Sequence, residues 1–155
     1  MGGSTEALGA FEHVRTFRWV GGQYTMTPTT PALPTSEGIY AFVAQGDVKY
    51  IGAAKNLHKR LSSYLRRQNK PTSTRPVHGL LQMELGNGPV EVFVRVFKER
   101  TTLYEDLPVD LVLGVEAGLI SKLNPPWNRR GVGRVVVMEV PTTRGANVTF
   151  ANEVE

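Results

Sequence analysis

Tyr40, Tyr50, Arg60 and Tyr64 fall within the stretch Glu37 to Arg67, and Glu116 and Asn128 follow later in the chain. These are side chains with the chemistry to attack a phosphodiester. Hydrolysis there needs a water placed in line with the leaving oxygen, neutralised charge around phosphorus, and help for the leaving group. A guanidinium offers a planar fork of donors that suits non-bridging phosphate oxygens. One carboxylate suffices to hold Mg²⁺ when water and phosphate oxygens take its remaining positions. A tyrosine can act as a general base once its pKa falls from about 10, which nearby arginine or metal charge can cause. Each residue also has a plainer reading. Tyrosines in a half-buried hairpin pack, a lone helical arginine is solvated, and an asparagine after Pro125-Pro126-Trp127 is a turn residue. His13, His58 and His78 fit no metal spacing and read as structural.

The elements that must position these residues begin with a hairpin. Gly38 to Val43 alternates Ile39, Ala41 and Val43 against Tyr40 and Phe42, and Val48 to Gly52 places Val48, Tyr50 and Gly52 on one side. A three-residue loop, Gln45-Gly46-Asp47, sets Phe42 opposite Tyr50 and Tyr40 opposite Gly52, so both tyrosines share a face. A two-residue Gly46-Asp47 loop would separate them, because a slip of one residue inverts every side chain. The odd loop is the expected one. Asn56 then caps a helix whose buried stripe is Leu57, Leu61 and Leu65. Arg60 and Tyr64 stack on one flank of it, toward the hairpin, while Lys59, Ser63 and Arg66 face away.

Further along, Val77 to Glu84 reads as a short helix with Leu80, Leu81 and Met83 turned inward. Pro89 to Lys98 is the clearest strand, apolar on both faces and so central. Asp110 to Leu123 reads as a helix stopped by Asn124-Pro125-Pro126. Leu111, Val112, Leu113, Val115, Leu119, Ile120 and Leu123 fill one arc of it, and the small face of Gly114, Gly118 and Ser121 suits close packing. Glu116 falls inside the apolar arc and is the only charge between Asp110 and Lys122. A buried carboxylate needs a partner. Glu116 therefore emerges at the edge of the arc, pairs with an arginine from another element, or performs chemistry. Gly131 to Val140 reads as a last strand. Before the hairpin, Phe11 to Val20 reads as a strand, and Thr27 to Ser36 as an extended, proline-rich connector.

At this length one domain is expected. With no cysteine there is neither a disulfide framework nor a zinc-thiolate site, which fits a reducing cytoplasm. No segment has transmembrane length or a signal pattern. The net charge is +4, a balance that favours polyanions. Lys55, Lys59, Arg66, Arg67, Lys70 and Arg75 gather around the first helix, and Arg129, Arg130 and Arg134 lie near Asn128. Such groups neutralise phosphates without reading bases.

GIY at Gly38-Ile39-Tyr40, YIG at Tyr50-Ile51-Gly52, Arg60 ten residues after the second tyrosine, and a later Glu and Asn make a combined pattern. It resembles the GIY-YIG nuclease superfamily, above all its UvrC-like branch, over about Glu37 to Arg130. The resemblance implies an α/β (α+β) fold: a small mixed or antiparallel sheet flanked by helices, with extra terminal strands. It implies a nuclease core over residues 36–130; outside the resemblance lie an arm over residues 1–35, with its strand and Pro/Thr-rich connector, and a strand and tail over 131–155. It implies catalytic roles for Tyr40, Tyr50, Arg60, Tyr64, Glu116 and Asn128. Tyr50 is the chosen base with Tyr40 in support, Arg60 is the family's arginine, Glu116 binds Mg²⁺ or Mn²⁺, and Asn128 closes the site. Ala53 departs from members with lysine after YIG, so a supporting cation is missing or comes from Lys55. The implied activity is metal-dependent DNA cleavage by a stand-alone enzyme of repair, structure-selective, restriction or mobile-element type, because the chain has no room for the further domains of full-length UvrC. The alternative is a non-catalytic nucleic-acid-binding module on the same scaffold. Nothing in the residues separates DNA from RNA or fixes an oligomeric state.

Overall fold

The computed structural model describes residues 5–68 and 75–129. The expected strand from Gly131 to Val140, the tail after it, and Lys70, Arg130 and Arg134 lie outside those residues. Period-two apolar runs build five strands into one sheet: β1 (Glu12–Val20), β2 (Gln23–Thr27), β3 (Gly38–Ala44), β4 (Asp47–Ala54) and β5 (Val90–Val96). The order is β2-β1-β5-β3-β4, and every neighbouring pair is antiparallel. β5 is central, as its two apolar faces require. The segment before residue 36 is more than an arm, since β1 and β2 extend the same sheet.

Three helices cover the sheet: α1 (Leu57–Arg66), α2 (Pro76–Leu85) and α3 (Leu111–Leu123). On one face Tyr40, Phe42, Val92 and Val94 pack with Leu57, Leu61 and Tyr64 of α1 and Val77, Leu81 and Leu85 of α2. On the other face Ile39, Ala41, Val43, Val48 and Ile51 pack with Val112 and Leu123 of α3. The architecture is α+β. Met83, expected inside, is exposed, as is Leu113. Gly114, Gly118 and Ser121 are also exposed and pack on nothing close. In α1 the buried stripe is Leu57, Leu61 and Tyr64, with Leu65 only half-buried.

The hairpin has the expected register by a different route. Tyr40 pairs with Gly52 and Phe42 with Tyr50, but Val43 pairs with Val48 and Ala44 with Asp47. The loop is thus the two-residue Gln45-Gly46, both at positive φ (54° and 82°), the primed-turn geometry that fits strand twist. Lys49 is bulged out, and that extra residue restores the odd register. The bulge also sends Val48 to the face opposite Tyr50, against the expectation that the two share a side.

Residues Thr101–Tyr104 (β6) and Leu107–Asp110 (β7) form a separate hairpin that no periodicity announced. Asp110 ends it and caps α3, accepting from the Leu113 amide at 2.9 Å. Asn56 caps α1 as expected, accepting from the Lys59 amide at 2.9 Å.

Candidate active site

Gly52 lies directly across from Tyr40 and two residues after Tyr50. A Cβ there would stand 2.7 Å from Tyr40 Cζ and 2.8 Å from Tyr50 Cε2. The space left by the missing side chain is therefore filled by the tyrosine rings themselves, whose centroids are 5.9 Å apart. Tyr40 is wholly buried, and its hydroxyl is 2.7 Å from that of Tyr64. Tyr64 stacks in turn on His78 of α2, with centroids 4.5 Å apart. The Tyr64 carbonyl accepts from the Tyr24 hydroxyl of β2 at 3.0 Å, so the N-terminal strands brace this cluster.

Tyr50 is the half-buried tyrosine of the three and the one with a route to solvent. Burial pushes its pKa up to about 12, with the Tyr40 hydroxyl adding to the effect and the Arg75 guanidinium opposing it. Burial drives Tyr64 well above its ordinary value, and Tyr40 reinforces this. Tyr64 is thus held neutral in its hydrogen bond with Tyr40, while Tyr50 is the ring whose ionisation nearby charge can govern.

β4 is an edge strand, so the backbone groups of alternate residues point away from the sheet. The sequence-predicted residues cover them. Asn128 binds both polar groups of Ile51: its Oδ1 accepts from the amide and its Nδ2 donates to the carbonyl, each at 2.8 Å. One turn of chain away, Arg60 Nη1 donates to the Ala53 carbonyl at 3.3 Å. Glu116 approaches the same residue from the far face. Burial raises its carboxyl above the ordinary range, while the Ala53 backbone amide and the Arg60 charge pull it down. Arg60 on α1 and Glu116 on α3, which pack on opposite faces, therefore meet around the edge of β4. Glu116 is half-buried at the rim of its arc. The edge position, one of the readings left open above, holds, whereas Arg60 acts on Glu116 only through its charge, with no ion pair between them.

Glu116 suits a divalent cation held by one carboxylate, water and substrate oxygens. Among the described residues no three His, Asp, Glu or Cys side chains cluster, so a cage made wholly of protein ligands is not built here.

The basic residues divide. Lys59, Arg66, Arg67 and Arg129 are exposed. Lys55 is exposed too, but it pairs with Glu37 at 3.4 Å, and Arg100 meets the same carboxylate at 3.5 Å. Arg75, expected on the outer surface, is half-buried, and its Nη2 donates to the Tyr50 hydroxyl in a long contact of 3.5 Å. His78, set aside on spacing, is buried against Tyr64, with neither ring nitrogen hydrogen-bonded among the described residues; burial lowers its pKa, the Arg75 backbone opposes this and the Arg75 charge adds to it. The signal for both was Pro76. A proline at the start of a helix makes Arg75 its N-cap and puts His78 one turn on, on the inward side.

A family model described as a UvrC-like GIY-YIG domain matches residues 36–85. Residues 36–85 are thus similar to a UvrC-like GIY-YIG domain, and the match covers the hairpin, α1 and α2, and so all three tyrosines and Arg60. UvrABC system protein C of Coxiella burnetii is 60% identical over 37 residues, 23% of this chain and 6% of the relative. That of Bradyrhizobium diazoefficiens is 38% identical over 96 residues, 61% of this chain and 12% of the relative. The chain thus spans only a small part of these curated relatives. Among solved structures, a variant of bacteriophage T4 EndoII is similar with a TM-score of 0.61 and 25% identity, covering 81% of this chain and 96% of that one. No helix among the described residues is long and apolar enough to cross a membrane.

Proposed function

We propose that this GIY-YIG domain is a metal-dependent DNA endonuclease, with its nuclease core over residues 36–130 and the strands of residues 1–35 bracing that core. The observation that carries the reading is the meeting of Tyr50, Arg60 and Glu116 around the edge strand β4, from three elements and two faces of the sheet. A binding module has no need of a half-buried carboxylate beside an arginine, and the similarity to EndoII and to the UvrC relatives supports cleavage over binding alone.

Exposed Lys59, Arg66, Arg67 and Arg129 hold the phosphate backbone without reading sequence. Arg60, fixed by the Ala53 carbonyl, directs its remaining donors at a non-bridging oxygen. Tyr50 removes a proton from the attacking water, and the Tyr40–Tyr64 pair keeps its ring in place. Glu116 would hold Mg²⁺, which neutralises phosphate charge and helps the leaving oxygen. Asn128 touches no reacting group; it locks the strand between Tyr50 and Gly52.

The test is incubation with supercoiled plasmid, branched DNA and RNA, each with Mg²⁺, Mn²⁺ or EDTA, for the parent and Tyr50→Phe. Cleavage of DNA by the parent with a divalent cation, lost in EDTA and in Tyr50→Phe, is expected. DNA binding without cleavage under every condition would leave the module reading, and cleavage confined to RNA would move the substrate class.

A further inference from the structure

We infer that Arg75 is a positioning residue for the hydrolytic base: its guanidinium orients the Tyr50 hydroxyl and stabilises the tyrosinate that accepts a proton from water. The inference rests on the reading of Tyr50 as that base.

The geometry begins at the start of α2. Pro76 occupies the first helical position and holds Arg75 in extended backbone, at φ −109° and ψ 116°. From there the Arg75 side chain runs inward, not out to solvent, and reaches the Tyr50 hydroxyl at 3.5 Å. The charged and titratable groups that act on Tyr50 come from each packed element: Tyr40 from β3, Tyr64 from α1 and Arg75 from the start of α2, with His78 behind Tyr64. Residues Pro126–Asn128 bring none. Burial and Tyr40 disfavour the anion of Tyr50, and Arg75 is the neighbour that favours it. A guanidinium keeps its charge at every working pH, and the three tyrosines hold that charge more firmly still, raising Arg75 against the opposing effect of burial.

The step balances as follows. Tyr50 gives its proton to solvent before turnover. The tyrosinate removes a proton from water, and the hydroxide bonds to phosphorus as the bond to the leaving strand breaks. The leaving oxygen takes that electron pair and gains a proton from solvent. Without Arg75 the tyrosinate is rarer at neutral pH, by the factor through which the pKa rises.

The experiment places a fluorinated, more acidic tyrosine at position 50 and follows the hydroxyl by ¹⁹F NMR in metal-free protein, with the parent, Arg75→Met and Arg75→Lys backgrounds compared. The titration midpoint should rise by about one pH unit in Arg75→Met and partly return in Arg75→Lys, as expected for loss of one close cation. In parallel, single-turnover cleavage at saturating DNA by the natural-tyrosine proteins should fall about tenfold at neutral pH in Arg75→Met and partly return in Arg75→Lys. An unchanged midpoint in both variants would overturn the inference. So would an unchanged saturating rate with weaker, less salt-dependent DNA binding, which would return Arg75 to the phosphate-binding surface. A loss of rate not rescued by lysine would overturn it too and make Arg75 a prop for α2 only. Parental cleavage by Tyr50→Phe is a different failure: it would remove Tyr50 as the base, and the catalytic half of the inference with it, whatever the ¹⁹F midpoint.

Discussion

Gly52→Ala adds one methyl group where two tyrosine rings converge. The new carbon would meet Tyr40 Cζ at 2.7 Å, the Tyr40 hydroxyl at 2.8 Å and Tyr50 Cε2 at 2.8 Å. Each contact is roughly 0.6 Å or more short of ordinary van der Waals separation. Tyr50 can swing toward solvent, but Tyr40 is wholly buried and tied to Tyr64 at 2.7 Å. Overpacking of this kind costs about 1–3 kcal/mol, and a weakened buried hydroxyl pair adds about 1 kcal/mol. Replacing glycine in a strand returns about 0.5–1 kcal/mol of backbone entropy. The net loss is about 2 kcal/mol, which lowers Tm by about 4–8 °C for a chain of this size. Displacing the base by a fraction of an ångström to an ångström should cut single-turnover cleavage by about 100-fold at a temperature well below either melt. Gly79→Ala is the control. It lies in α2 with nothing within 4 Å of the added carbon, and it should raise stability by about 0.5–1 kcal/mol. The pair is measured by calorimetry and by cleavage of plasmid under single-turnover conditions. A Gly52→Ala protein that melts and cleaves like the parent would show that the rings have another place to go, and would undo the claim that Gly52 sets their spacing.

Three further outcomes follow from the edge of β4. Glu116→Gln should abolish Mg²⁺-dependent cleavage and leave DNA affinity equal or slightly stronger in a gel-shift assay; because burial raises the Glu116 carboxyl, the group withdraws stability as pH climbs past the ordinary carboxylate range, so the variant should melt no lower than the parent at pH 7, and a large fall in Tm would make Glu116 a structural partner of Arg60. Arg60→Ala should cut the saturating rate about 100-fold or more with affinity within several-fold, whereas Lys59→Ala with Arg66→Ala should weaken binding and flatten its salt dependence; the reverse pattern would exchange their roles. Asn128→Ala loses two 2.8 Å hydrogen bonds to Ile51 and should cost about 1–3 kcal/mol in denaturant melts, with Asn128→Asp no better, because a carboxylate cannot donate to the Ile51 carbonyl; a rate effect with no loss of stability would give Asn128 a direct part in the chemistry.

The central hairpin and the Asn56 cap were legible because they depend on local rules, and Asp110, read as the first helical residue, proves to be a cap of the same kind. Period two fixes which side chains share a face, and Asn56 and Asp110 satisfy amides three residues on. The bulge at Lys49 was not legible. A bulged two-residue turn and an unbulged three-residue loop give Tyr40 and Tyr50 the same relation, and the sequence favours neither. The route showed only where it reversed Val48. The wheel placed Glu116 correctly within its arc but misjudged Leu113, since a wheel treats α3 as buried along its whole length, whereas the sheet covers mainly Val112 and Leu123. Arg75 and Lys55 were both read from charge alone. Charge gives affinity for an anion but not which anion, and in the fold Lys55 finds Glu37 while Arg75 finds Tyr50.

The edge of β4 explains why this site could be assembled from residues so far apart in sequence. An inner strand has its backbone groups taken by neighbours on both sides; an edge strand has one set left over. On β4 that set belongs to Ile51 and Ala53, flanking Gly52. Ile51 is closed by Asn128, which ends the chain's run from α3. Ala53 is shared, its carbonyl with Arg60 and its amide with Glu116. Satisfying these backbone groups brings α1 and α3 around the sheet from opposite faces, and it does so at the residues on either side of the glycine that admits the two tyrosines. The same hydrogen bonds that protect the edge therefore fix the arginine and the carboxylate relative to Tyr50. A substitution at Ala53 that shifts its backbone should therefore move Arg60 and Glu116 together and lower the single-turnover cleavage rate, because both take their position from one residue; an unchanged rate would refute this.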